Sequence, residues 1–138
     1  MSVITGTNWN AYDAATNTMF VPCRDGGIQE VNLTTNTAGR LLAGENSGPI
    51  LVGGNLWASG YPTGSLSEYD SITGRVLQNF FVGSGVPAFA SPSAALGLLL
   101  IGTTSGVTAF KGPGGLPPDA PAHRAGRASK ARQPGKHP

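Results

Sequence analysis

Few residues of this chain could do acid–base, nucleophilic or metal chemistry, and their placement narrows the choice further. Both histidines, His123 and His137, fall within the last sixteen residues, beyond the expected folded body, so no histidine base can complete a catalytic triad there. Cys23 is the single cysteine. It excludes an intrachain disulfide, and with no histidine beside it the usual tetrahedral zinc ligands cannot be assembled. It follows Met19-Phe20-Val21-Pro22 and reads as an inert strand-end thiol, because a reactive one needs an electropositive neighbourhood and Arg24 alone supplies little. Glu68 and Asp70 stand two apart, on one face of a strand, the spacing of a paired acid and base; a structural or solvated role is expected instead. Trp9 and Trp57 are read as packing residues, and Asn32-Leu33-Thr34 as a chance match to a glycosylation sequon at a strand-end turn.

The elements that must position these residues follow from composition. The 138 residues are 39% hydrophobic, 7% aromatic and 12% charged, with 21 Gly and 11 Pro, one domain's worth of chain. Helical bundles and coiled coils need a surface rich in Glu, Lys and Arg, so short strands joined by tight turns fit better. The longest apolar stretch, residues 98–101, is far short of the roughly 18 residues of a membrane span. Met1-Ser2-Val3-Ile4-Thr5-Gly6 carries none of the basic and apolar regions of a signal peptide, so either the protein stays where it is made or an exported start is missing.

Charge is divided unevenly. Residues 1–111 hold four basic and six acidic side chains, whereas residues 112–138 hold five basic ones (Arg124, Arg127, Lys130, Arg132, Lys136) against Asp119 alone. The body is mildly acidic and the tail basic. Six of the eleven prolines lie in that tail, which has no Ile, Val, Phe, Tyr or Trp, so it cannot bury a core and is expected to be disordered. Without stacking aromatics it is read as a solvated tail, not an arm for nucleic acid or anionic lipid.

The body repeats itself. Gly27-Ile28-Gln29-Glu30-Val31-Asn32, Ser65-Leu66-Ser67-Glu68-Tyr69-Asp70 and Gly106-Val107-Thr108-Ala109-Phe110-Lys111 start 38 and 41 residues apart, with apolar second and fifth positions and Glu, Glu and Ala at the fourth. About ten residues before each runs a second apolar segment, at residues 18–22, 55–59 and 98–102, expected to be a strand buried on both faces and paired antiparallel with the recurring one. Asp25-Gly26-Gly27 and Gly53-Gly54-Asn55 are hairpin turns, and Asp70-Ser71-Ile72-Thr73-Gly74 turns the chain into Val76-Leu77-Gln78-Asn79-Phe80-Phe81-Val82. A unit of about 40 residues with four antiparallel strands is a β-propeller blade. The expected fold is all-β: a partial propeller of about three blades, near residues 8–47, 48–86 and 87–111, followed by the tail at 112–138.

Asp70-Ser71-Ile72-Thr73-Gly74-Arg75, preceded by the strand from Leu66 to Tyr69, resembles the blade motif of quinoprotein-like (PQQ-like) propellers, Ala-x-Asp-x-x-Thr-Gly-Lys-x-x-Trp, which docks one blade on the next. Asp70, Thr73 and Gly74 match and Arg75 replaces lysine, while Glu68 stands in the place of alanine and Gln78 in the place of the docking tryptophan. Asn32, Thr35 and Asn36 form a decayed copy, residues 89–110 resemble the closing blade of such bacterial proteins, and residues 13–21 resemble propellers whose units carry a Tyr-Val-Thr-Asn run. The resemblance implies a stapling motif in which Asp70 accepts backbone hydrogen bonds and Gly74 is left-handed. The motif does not itself bind the quinone: a working pyrroloquinoline quinone enzyme needs calcium ligands and a catalytic aspartate in a full ring, and no such cluster is visible. Extracytoplasmic placement of a parent protein is a further implication.

Closed propellers have about 4–8 blades, so three are an incomplete ring. The third unit stops after its third strand, and residues 2–5 could supply an outermost strand. The chain therefore reads as the C-terminal part of a larger propeller or a truncated reading frame, with a self-assembling half-ring as the alternative. The expected function is a non-catalytic scaffold or protein-interaction segment without cofactor or metal. Its partners would be the remaining blades of a parent propeller, another protein or a second copy. An inactive fragment of a propeller enzyme, a quinone-dependent dehydrogenase or a hydrolase, is the rival reading.

Overall fold

Short runs of β-branched, aromatic and leucine residues, each stopped by a turn that needs a left-handed residue, dictate a chain of hairpins. The computed structural model describes residues 10–88 and 90–111. Four strands, β1 (Ala11–Asp13), β2 (Thr18–Pro22), β3 (Ile28–Asn32) and β4 (Thr37–Leu42), form the first sheet. The second holds β5 (Ile50–Val52), β6 (Asn55–Gly60), β7 (Ser65–Asp70) and β8 (Val76–Phe81), and the third holds β9 (Ser93–Ala95), β10 (Leu98–Thr103) and β11 (Gly106–Phe110). Each sheet is an antiparallel meander in chain order, and the described residues contain no helix.

The recurring strands β3, β7 and β11 pair with β2, β6 and β10, as the hairpin pattern predicts. Ala94 and Ala95, which could have joined a helix, lie instead in β9, ended by Leu96 and Gly97 at φ of 53° and 73°. Both four-stranded sheets carry a β-bulge in the outer strand pair, between Gln29 and Val31 opposite β4 and between Glu68 and Tyr69 opposite β8. The proposed strand at residues 2–5, Trp9, both histidines and the basic tail lie outside the described residues.

The described residues have no single central core. Alternation along the strands gives each sheet two apolar faces, and one cluster fills each seam between successive sheets. Ala11, Phe20, Ile28 and Leu42 of the first sheet meet Leu56, Ala58 and Tyr69 of the second. On the other face of the second sheet, Trp57, Leu66 and Phe80 meet Leu99, Ile101 and Phe110 of the third, with Phe80 and Phe110 edge to face at 4.8 Å. Trp57 is thus a packing residue between sheets. The seams share a polarity: the second and fourth positions of the recurring strand face the following sheet, and the third and fifth face the preceding one. Strand β10 departs from burial on both faces, because Leu99 and Ile101 are buried in a seam while Leu98 and Leu100, pointing the other way, are only half covered.

Candidate functional site

The turn from Asp70 to Gly74 is built from local hydrogen bonds. Asp70 Oδ1 accepts from the amides of Ile72 at 2.8 Å and Thr73 at 2.9 Å, Gly74 N–H closes the turn on the Asp70 carbonyl, and Gly74 sits at φ 72°. These donors, the Thr73 amide foremost, hold the Asp70 carboxyl below its ordinary pKa. Thr73 Oγ1 accepts from the Arg75 amide at 3.3 Å, and the Arg75 side chain is exposed. The same geometry recurs at Asn32, whose Oδ1 accepts from Thr34 and Thr35 amides, and a variant of it at Asp13, where Oδ1 takes the Ala15 amide and Oδ2 the Thr16 hydroxyl. Asn17 and Asn36 take left-handed conformations at the place of Gly74.

Arg40 lies eight residues after Asn32, as Gln78 lies eight after Asp70, so both occupy the place of the docking tryptophan. Arg40 crosses the first seam: its guanidinium donates to the Ile72 carbonyl in the second sheet's turn while its Nε bonds Glu30 Oε2 at 3.1 Å. Gly74 is needed beneath it, since a Cβ there would lie 2.8 Å from Leu42 Cδ2 and 3.0 Å from Arg40 Nη1. Glu30 Oε1 is buried with no hydrogen-bond partner. In the second sheet Glu68 is also buried, and its two oxygens accept from Asn55 Nδ2 at 2.6 Å and Gln78 Nε2 at 2.7 Å. Glu68 and Asp70 therefore do different work: one carboxylate is capped by amide side chains, the other by its own turn.

A third buried carboxylate was hidden in the sequence. Glu45, on the connection between β4 and β5, is 2% exposed at the floor of an open cleft of about 400 Å³. Its Oε2 accepts from Ser65 Oγ at 2.7 Å, and its Oε1 from Ser67 Oγ at 2.5 Å and Asn79 Nδ2 at 3.1 Å. Beside it Tyr69 donates its hydroxyl to the Ala43 carbonyl at 3.0 Å and accepts the Glu45 amide at 3.4 Å; burial pushes the Tyr69 pKa up. Three donors thus converge on the two Glu45 oxygens. The carboxylate ties the connection to β7 and β8. Among the described residues no three His, Cys, Asp or Glu side chains converge as metal ligands. Cys23 directly follows β2, half-buried, with its Sγ 3.8 Å from the Val21 carbonyl.

No protein-family model and no curated protein sequence matches the chain. Solved structures do. The chain is similar to BamB from Moraxella catarrhalis, with a TM-score of 0.62 and 19% identity over 80% of this chain and 35% of that one. It is similar to Saccharomyces cerevisiae Sqt1, with a TM-score of 0.61 and 16% identity over 75% of this chain and 30% of that one. It is similar to the WD40 repeats of RRP9, with a TM-score of 0.52 and 13% identity over 78% of this chain and 37% of that one. The chain thus spans about a third of the length of these proteins. The seams between successive meanders and these likenesses together establish the fold as consecutive sheets of a β-propeller.

Proposed function

We propose that the chain is a non-catalytic β-propeller segment of the quinoprotein-like kind, the C-terminal part of a larger repeat protein, serving as a scaffold or protein-interaction module. The remaining blades of a parent propeller, or another protein, are its partners. The observation that carries this reading is the use made of the buried carboxylates. Glu30 orients Arg40 across a seam, Glu45 ties an inter-sheet connection to two strands, and Glu68 is capped by Asn55 and Gln78. Each is engaged in holding sheets, whereas a general acid or base must be open to a substrate proton. The stapling turn, repeated at Asp13, Asn32 and Asp70, belongs to the same task.

The test is a dye-reduction assay on the purified chain supplied with pyrroloquinoline quinone and calcium. No reduction is expected with simple alcohols or sugars, because a site on a propeller axis needs residues converging from every blade. Reduction that disappears when the quinone is withheld overturns the proposal.

A further inference from the structure

The polarity of the two seams makes the free faces of the first and third sheets complementary. The second position of the recurring strand is fully buried in its seam at Ile28 and Leu66, each 0% exposed. At Val107 the same position is 75% exposed, on a face it shares with Leu98, Leu100 and Ala109. At the other end, Leu51 of β5 packs into the first seam, facing the preceding sheet. Its counterpart in β1 is Tyr12, 52% exposed, on a face shared with Met19, Val31 and the 55% exposed Leu41. The third sheet thus presents the kind of face that always packs forward, and the first sheet the kind that always receives one.

We infer that in the isolated chain these faces cover each other in a second copy, the third sheet of each packing on the first sheet of the other. This rests on the propeller-segment reading and names one partner for it. Two copies bring six sheets, within the roughly 4–8 of closed propellers, whereas three would bring nine. Head-to-tail contacts that close leave no free apolar face, so the assembly stops at a dimer with two equivalent seams. The new seam differs chemically from the first two: Ala109 stands where Glu30 and Glu68 carry buried carboxylates. It requires no clasp of Arg40 or Gln78 type to satisfy a buried acid, and its third-sheet side is apolar at Leu98, Leu100, Val107 and Ala109.

Multi-angle light scattering on the full chain at micromolar concentration tests this. The expected mass is twice the 14.0 kDa of one chain. Val107→Glu and Tyr12→Glu, at exposed positions on opposite faces, are each expected to give folded monomers with the strand signal of the parent in circular dichroism. Should either glutamate variant lose that signal, Val107→Lys and Leu41→Lys put the same question at exposed sites. A monomeric parent chain overturns the inference, as does a dimer that survives substitution on either face, or a polymer that grows with concentration. A monomer without quinone-dependent activity leaves the scaffold reading standing, while quinone-dependent activity overturns that reading whatever the mass.

Discussion

Gln78 Nε2 donates to Glu68 Oε2 at 2.7 Å, so the two residues that depart from the resembled blade motif satisfy each other. A carboxylate 2% exposed would be costly without such a donor. In the resembled motif these two positions hold tryptophan and alanine; here an amide and an acid stand there and bond to each other.

The pair should therefore be coupled. Gln78→Leu is expected to destabilise the chain by about 1–3 kcal/mol, since it strands part of a buried charge. In the Glu68→Ala background the same change should cost far less, a coupling of about 0.5–3 kcal/mol in a urea-denaturation double-mutant cycle. Additive effects would contradict the pairing.

Arg40→Ala removes the side-chain partner of Glu30 and the donor to the Ile72 carbonyl across the first seam, and leaves the backbone amide of residue 40 on Glu30 Oε2. Because the arginine side chain is 47% exposed, the expected loss is about 1–3 kcal/mol, below that of a fully buried pair. Glu30→Gln in the same chain should recover part of it, measured as a shift in the urea midpoint.

Gly60 leaves no room for a side chain: a Cβ would lie 2.3 Å from both Glu45 Oε2 and Ser65 Oγ. Gly60→Ala must push the carboxylate off its serines, and a loss of about 1–3 kcal/mol is expected from such overpacking. Thermal denaturation checks it, with Gly54→Ala unsuitable as a control because Gly54 has a positive φ.

Asp70 gives the turn an acid limit. Its folded pKa is lowered by the Thr73 and Ile72 amides, so its contribution to stability is present above the unfolded value of about 3.9 and fades as pH falls through the folded one. Asp70→Asn should flatten the stability profile below pH of about 4, as read by urea melts at stepped pH.

Tyr69 sets an alkaline limit. Burial, with the Glu45 carboxylate adding to it, raises its folded pKa, so the contribution of its neutral hydroxyl holds below the unfolded value of about 10 and is lost as pH climbs toward the folded one. Tyr69→Phe should cost about 1 kcal/mol at neutral pH through the lost bond to the Ala43 carbonyl, and should remove this part of the alkaline loss.

The strands were legible in the sequence because period-two alternation and left-handed turn residues are local signals. Ile28, Leu66 and Val107 announce the recurring strand without reference to anything distant. The Glu45 cleft was not legible. Its ligands come from 20, 22 and 34 residues away, and Glu45 itself stands in a connection outside the repeated strands. Arg40 was concealed differently, by the loss of glycine from its turn: Asn36 replaces Gly74's counterpart, and only counting from Asn32 reveals the docking place. The burial of Glu30 and Glu68 depends on donors in other strands, which no local pattern of the sequence announces.

The bulge shared by the two outer strand pairs bears on how such repeats can change length. From Asn32 to Arg40 and from Asp70 to Gln78 the count is the same, although between them only Thr35 and Thr73 coincide in type and place. Side chains alternate, so the extra residue of the bulge decides on which face Arg40 and Leu42, or Gln78 and Phe80, emerge. Loss of a single codon within either stretch would turn that stretch's two side chains onto the opposite face of their sheet at a stroke, which no single substitution could do. Between these two stretches the number of codons is thus held while most of the letters differ.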